Sequence, residues 1–130
     1  MRIYFARHGE SQANLLHEIS NRGLRHGLTR KGREQAEGLA RRLQGIPIAT
    51  IYSSPVLRAI ETSVILAHRL DVDYEVTEAL REYDCGILEG RSSDVTQTCA
   101  LGVVLETVAS SINSNGWPVT RSPSVARHAY

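Results

Sequence analysis

The composition of this chain is that of an ordinary globular protein, with no global signal for a polyanion or a lipid bilayer as partner. Its 130 residues favour one domain with a single core, and 42% of them are hydrophobic. The net charge of +1 gives no indication of nucleic acid or an anionic membrane. Because the N-terminus lacks a signal-peptide core and no apolar run has membrane-spanning length, we expect a cytoplasmic protein.

The first predicted elements are a strand and a helix separated by a polar loop. Residues 2–6 are β-prone and end in a sharp break, which suits a buried strand followed directly by Arg7-His8-Gly9. Residues 17–27 are polar and contain two glycines, which predicts an irregular loop. Thr29 is the expected N-cap of a helix over 30–44 with one apolar stripe.

A second strand and a second helix follow, and then a third strand. Residues 49–53 predict the strand, and Ser54-Pro55 is typical of a helix start, with serine as the N-cap and proline at the first helical position. This helix is expected to end near Leu70, and residues 73–76 predict the third strand. The alternation of strands and helices indicates an α/β protein.

The chain changes character after two thirds of its length. Residues 78–91 are rich in charged side chains and interrupted by glycines, which indicates a loop with a function. Residues 92–130 hold only four of the charged side chains and are rich in serine and threonine. Within them, the apolar spacing over 95–112 predicts a helix.

Arg7, His8 and Arg58 are residue types that phosphate-ester chemistry needs. The oxygens of a transferring phosphoryl group require fixed positive charge, which guanidinium groups supply at every useful pH. A neutral imidazole can attack phosphorus and carry the phosphoryl group covalently, so His8 is the candidate nucleophile. Arg58 is expected one turn into the second helix, at the same sheet edge as His8, where open α/β sheets bind ligands. These residues predict a phosphate pocket.

The polar loop offers two carboxyl groups for the proton that a leaving oxygen needs. Glu82 and Asp84 are both candidates, and the Glu82 carboxylate can later activate water. Asn14 lies close to His8 in sequence and is a candidate contact to a phosphate oxygen or a substrate hydroxyl. The other histidines before residue 92 have no metal-ligand spacing with cysteine or carboxylates, so no metal site is expected.

Four stretches of this sequence resemble the motifs of the histidine phosphatase superfamily, the phosphoglycerate-mutase-like proteins. The first is Arg7-His8-Gly9-Glu10-Ser11 with Asn14. The others are residues 28–36, 53–62 and 80–90, which are similar to the first-helix motif, the second strand-and-helix motif and the acid-bearing loop of the family. An Arg-His-Gly triplet alone is a weak signal, but four motifs in the family's order are a specific one.

The resemblance implies a role for each candidate residue. His8 becomes the phosphohistidine nucleophile, and Arg7 and Arg58 bind the phosphoryl group. Glu82 is the proton donor, in preference to the other carboxyl group of the loop, and Asn14 is a secondary phosphate or substrate contact. The resemblance implies that neither a metal nor an organic cofactor is needed for hydrolysis.

The resemblance also implies a fold and a further pocket residue. The expected fold is a three-layer α/β/α sandwich of the phosphoglycerate-mutase-like type, complete or incomplete. The family places a second pocket histidine, usually followed by glycine, after a later strand, whereas the tail of this chain offers only His128, followed by Ala129. We therefore expect one domain over 1–130, with a family-like part over 1–91 and an atypical tail over 92–130 that lacks or replaces the family's second half.

The expected function is hydrolysis of a phosphomonoester, on a small molecule or a protein, through phosphorylated His8. Hydrolysis is favoured over a phosphoglycerate-type mutase reaction, because a mutase needs additional substrate-binding segments for which the length leaves little room. A different class of function is an inactive relative that binds phosphorylated ligands or partners without turnover. We expect neither nucleic acid nor membrane as partner, and an uncovered first strand would offer a surface for a homodimer.

Overall fold

A four-stranded mixed sheet forms the centre of the fold. The computed structural model describes residues 2–82, 89–91 and 103–107. Its strands are β1 (Ile3–Ala6), β2 (Ile48–Ser53), β3 (Asp73–Val76) and β4 (Val103–Thr107), in the spatial order β1-β4-β2-β3. β4 is antiparallel to both β1 and β2, and β2 is parallel to β3. β1 and β2 therefore point the same way, and their carboxyl ends meet at one edge, where Val103 pairs with both Ala6 and Ser53.

Two long helices pack on one face of this sheet. The helices are α1 (Gln12–Leu16), α2 (Arg30–Leu43), α3 (Leu57–Leu70) and a 3₁₀ turn, Glu78–Leu80. Apolar residues of α2 and α3 share one core with the inward side of β2 and β4, as helices with a single apolar stripe must. The buried core residues are Ala40, Leu43, Ile48, Ile51, Val56, Ala59, Leu66, Ala67, Val103 and Leu105. None of the helices in the described ranges is long and apolar enough to cross a membrane.

The other face of the sheet is open at β1. Tyr4 and Ala6 pack against the core, whereas Ile3 is 49% exposed and Phe5 is 63% exposed. The expectation of a fully buried first strand is therefore wrong, because β1 lies at the sheet edge and the two long helices cover one face only. The described residues form an incomplete α/β sandwich, which confirms the predicted fold class.

The sequence located most elements to within one or two residues. The helix expected over 30–44 is α2, with Thr29 as its cap, and the strands expected over 49–53 and 73–76 are β2 and β3. The expected helix over 95–112 is wrong for residues 103–107, which form β4; its remainder lies outside the described residues.

The start of the second helix also differs from the expectation. Its N-cap is Val56 rather than Ser54, and no side chain caps the helix. Ser54 is instead buried, and its carbonyl accepts a hydrogen bond from the Ser53 hydroxyl at 2.9 Å. Arg58 is consequently the second residue of α3, closer to its N-terminus than expected.

Candidate active site

His8 lies just beyond the carboxyl end of β1 and is only 8% exposed. Its Nδ1 atom lies 2.7 Å from the Gly9 carbonyl oxygen, and Nε of Arg58 lies 3.0 Å from its Nε2 atom. A carbonyl only accepts, so Nδ1 must carry the proton and donate it. Nε2 is then unprotonated and accepts the hydrogen bond that Arg58 donates. The lone pair of Nε2 therefore faces the guanidinium group and is occupied by its hydrogen bond.

The environment of His8 keeps its imidazole neutral. Burial lowers its pKa from 6.5 to about 4, the Gly9 carbonyl opposes this shift, and the charges of Arg58 and Arg7 add to it. A cationic imidazolium is disfavoured in a desolvated site beside two guanidinium groups. The ring is therefore neutral at physiological pH, which is the state in which a histidine acts as a nucleophile.

Arg58 is the buried cation of the site, with 6% of its surface exposed. Besides its contact with His8, Nη1 donates to the Ser20 carbonyl at 2.6 Å and Nη2 donates to Oδ1 of Asn21 at 3.4 Å. Burial lowers the pKa of Arg58, while the carboxylates of Glu82 and Glu89 raise it. Because an arginine side chain stays protonated in proteins, the group remains a cation and can bind an anion.

A threonine that sequence reasoning did not single out connects the His8 loop to α3. The Thr62 hydroxyl accepts a hydrogen bond from the Gly9 N–H at 3.2 Å and donates to the Arg58 carbonyl at 2.8 Å. Both hydrogen bonds are buried. They hold the backbone of the His8 loop against α3, one helical turn after Arg58. This residue lies within the motif over 53–62, but its neighbours in sequence give no signal for a partner in the first loop.

Arg7 and Glu82 lie at the margin of the site. The Arg7 side chain is exposed, and its charge acts on both His8 and Glu82. Burial raises the pKa of the half-buried Glu82 above its usual value, against the opposing effect of Arg58 and Arg7. A carboxyl group whose pKa is raised holds its proton more readily and is suited to act as a general acid.

Asn14 has a local structural role in this structure. Its Oδ1 atom accepts hydrogen bonds from the Ser11 N–H at 2.9 Å and the Ser11 hydroxyl at 3.0 Å, which completes a capping box at the start of α1. Its amide hydrogens are the donors that a phosphate contact would use, so that role stays a prediction. Asp84 and His128 lie outside the described residues.

Within residues 2–82, 89–91 and 103–107, no cluster of three or more His, Cys, Asp or Glu side chains is arranged to hold a metal ion. The charged groups that act on His8 are the guanidinium groups of Arg58 and Arg7, which suit an anion rather than a cation.

The pH dependence of stability provides a test of the His8 environment. The pKa of His8 is about 4 in the fold and 6.5 in an unfolded chain, so between these values the unfolded state binds the additional proton. The contribution of His8 to the free energy of unfolding should therefore be fully present above about pH 6.5. Towards pH 4 the free energy of unfolding should fall by about 3 kcal/mol because of this one residue. Urea unfolding of the wild type and of His8→Asn across this range measures the difference. Parallel pH profiles would contradict the lowered pKa.

Residues 3–103 match the family model of the Histidine phosphatase superfamily (branch 1), and the chain belongs to this family. It is 39% identical over 88 residues to the 2,3-bisphosphoglycerate-dependent phosphoglycerate mutase of Thermoplasma acidophilum, covering 68% of this chain and 44% of the relative. Phosphoserine phosphatase from Entamoeba histolytica, in complex with 3-phosphoglyceric acid, matches with a TM-score of 0.58 and 34% identity, over 69% of this chain and 43% of that chain.

A mycobacterial glucosyl-3-phosphoglycerate phosphatase complexed with VO₃ also has a similar structure. Its TM-score is 0.60 at 30% identity, over 69% of this chain and 42% of that chain. The chain therefore spans less than half the length of these relatives, and the similarity lies in the part that holds Arg7, His8, Arg58 and Glu82. The family resemblance inferred from the four motifs is confirmed.

Proposed function

We propose that this protein hydrolyses phosphomonoesters through a phosphohistidine on His8, with Glu82 as the proton donor. The observation that carries the proposal is the pair formed by His8 and Arg58, in which the Nε2 lone pair accepts a hydrogen bond from Nε of Arg58 at 3.0 Å and becomes available when a phosphoryl oxygen accepts that N–H instead. An anion that binds Arg58 is thereby placed next to the nucleophile. Because the imidazole is buried and neutral, it needs no deprotonation before attack.

The reaction uses these residues in two steps. Nε2 of His8 attacks phosphorus, the bond from phosphorus to the ester oxygen breaks, and Glu82 gives its proton to the departing oxygen. The Nδ1 proton stays on the ring, where the Gly9 carbonyl stabilises the phosphoimidazolium charge. Water then attacks phosphorus, Glu82 accepts the proton of the water, and Nε2 leaves with its lone pair restored. Arg58 and Arg7 bind the phosphoryl oxygens throughout, and Asn14 offers its amide hydrogens as a secondary contact.

The shifts in pKa support this division of roles. The pKa of His8 is lowered and that of Glu82 is raised, so the base-like nucleophile is deprotonated while the acid retains its proton longer. Titratable groups whose environments move their pKa values apart are typical of acid–base sites. The substrate class is supported by relatives whose names include phosphoserine phosphatase and glucosyl-3-phosphoglycerate phosphatase.

A phosphoryl-trapping experiment tests the function. The wild type is mixed with a ³²P-labelled phosphomonoester and quenched in alkali. We expect an alkali-stable, acid-labile label on the peptide that contains His8, together with release of inorganic phosphate. A folded chain with no label and no hydrolysis would contradict the proposal and favour a protein that binds phosphorylated ligands without turnover. In the presence of phosphoglycerate, a label that passes from His8 to phosphoglycerate rather than to water would indicate a mutase.

The same assay tests Glu82 through the leaving group. Glu82→Gln cannot donate a proton, so hydrolysis of an alkyl phosphate should slow by about 10²–10⁴-fold. Hydrolysis of p-nitrophenyl phosphate, whose leaving group needs little protonation, should slow much less in the phosphorylation step. Glu78→Gln is the matched control, because Glu78 is an exposed carboxylate nearby that pairs with Arg81. Equal losses for both substrates in the phosphorylation step, measured as the rate at which the label forms on His8, would contradict the role of Glu82 as the acid.

A further inference from the structure

Glu89 makes two contacts that the proposed reaction does not use. Its Oε2 atom accepts a hydrogen bond from the Asn21 N–H at 3.0 Å, and its Oε1 atom accepts one from the Arg22 N–H at 3.1 Å. One carboxylate thus binds two consecutive backbone amides in the loop that follows α1. Hydrogen bonds from backbone N–H groups to a charged carboxylate are among the stronger ones in proteins.

The backbone on either side of Glu89 is also paired with this loop. The Gly90 N–H donates to the Ile19 carbonyl at 2.7 Å, and the Ile19 N–H donates to the Arg91 carbonyl at 2.9 Å. Gly90 has φ +79°, a left-handed conformation that glycine adopts at low cost. Residues 89–91 therefore hold the loop at Ile19, Asn21 and Arg22.

The loop held in this way is the one that orients Arg58. Between Ile19 and Arg22, Ser20 offers its carbonyl to Nη1 of Arg58, and Asn21 offers its Oδ1 atom to Nη2. Ser20 is 5% exposed, so this contact is closed to water. Arginine has many side-chain conformations, and these acceptors select the one in which Nε points to His8. The contacts form an unbroken series from Glu89 through the loop to Arg58 and His8.

We propose that Glu89 is a positioning residue, whose carboxylate holds residues 20–22 so that Arg58 presents Nε to the nucleophile. Its effect on turnover rests on the proposed function, whereas its effect on the geometry of His8 does not. Among the described residues Glu89 has no hydrogen bond to His8; it contacts the loop, and its charge also acts on Arg58.

The titration of His8 measures this geometry without any substrate. Glu89→Gln keeps the size of the side chain but replaces one of its two acceptor oxygens with an NH₂ group. This donor then faces a backbone N–H, which is also a donor, so one of the two hydrogen bonds is lost. If the loop and Arg58 then move away, His8 gains water and loses a nearby cation, and its pKa should rise from about 4 towards 6.5. Removing the negative charge of Glu89 acts in the opposite direction, because it destabilises a cationic ring. The sign of the change therefore separates positioning from a simple charge effect.

NMR of the His8 ring in the full chain provides the measurement. Glu34→Gln is the matched control, since Glu34 is an exposed carboxylate on α2 paired with Arg30, and its His8 pKa should remain as in the wild type. The charged groups that act on His8, Arg7 and Arg58, are the same in both variants. A His8 titration in Glu89→Gln that equals the wild-type titration, or moves to lower pH, would overturn the proposal.

Two further readouts complete the test. In the wild type, the amide protons of Asn21 and Arg22 should be protected from hydrogen exchange, and unprotected amides would contradict the proposal even if the variant did not fold. In an active enzyme, Glu89→Gln should lower kcat by roughly 10–100-fold, as expected for a displaced reacting group, with a smaller change in KM. A wild type that forms no phosphohistidine would contradict the proposed function, while the His8 titration would still decide the role of Glu89.

Discussion

His8→Asn should abolish the phosphoryl label and reduce phosphomonoester hydrolysis by about 10⁴-fold or more, as removal of a covalent nucleophile commonly does. Asparagine has a similar size, but its amide has no basic nitrogen lone pair with which to attack phosphorus. Its shorter amide takes the place of Nδ1 and not of Nε2, so Arg58 loses the acceptor that it has in His8 but keeps its hydrogen bonds to Ser20 and Asn21. The variant therefore removes the nucleophile while the buried cation keeps two of its three acceptors.

The matched control is His68→Asn. His68 is an exposed histidine in the last turn of α3, far along the helix from Arg58, and its replacement should leave hydrolysis unchanged. Both variants are compared by circular dichroism before assay, so that a loss of fold is recognised. Hydrolysis by His8→Asn within about tenfold of the wild-type rate would contradict the assignment of the nucleophile. Retained binding of inorganic phosphate by this variant would show that the pocket is intact.

The parts of the fold that the sequence predicted depend on local interactions. Thr29 caps α2 through a hydrogen bond that its hydroxyl accepts from the Gly32 N–H, within one turn of the chain. The apolar stripe of the same helix is set by helical periodicity alone, and Ala36, Ala40 and Leu43 are buried as it requires. The site residues Arg7 and His8 were found because they directly follow a strand, and ligands bind at the carboxyl edge of such sheets.

The parts that the sequence did not predict depend on partners far along the chain. The spacing of apolar residues around Val103 fits either a helix or a strand. The segment forms a strand because Val103 pairs with both Ala6 and Ser53. Thr62 and Glu89 were not identified as supports of the site for the same reason. Each accepts a hydrogen bond from a backbone N–H more than fifty residues away, at Gly9 and Asn21 respectively. Because every residue except proline has such an N–H, the sequence does not indicate which one is the partner.

Two glycines, Gly9 and Gly32, bring the His8 loop into contact with α2. Neither position has space for a side chain. A Cβ atom on Gly32 would overlap the Glu10 carbonyl oxygen, and one on Gly9 would overlap the Gly32 carbonyl oxygen. The same Glu10 carbonyl accepts a hydrogen bond from the Thr29 N–H at 2.9 Å. The loop and the first turn of α2 thus touch backbone to backbone, a contact separate from the hydrogen bond of Gly9 to Thr62.

Gly32→Ala should therefore lower the free energy of unfolding by about 1–3 kcal/mol, as overpacking in a tight contact does, because the loop must separate from α2. Gly38→Ala in the same helix is the control: its Cβ would meet only the Arg41 side chain, at 3.7 Å. Since alanine is favoured over glycine in helices by about 1 kcal/mol, the control should be stabilised. Helix propensity affects both variants alike, so their difference in urea unfolding isolates the contact between the backbones. Equal stability of the two variants would contradict the close approach of the His8 loop to α2.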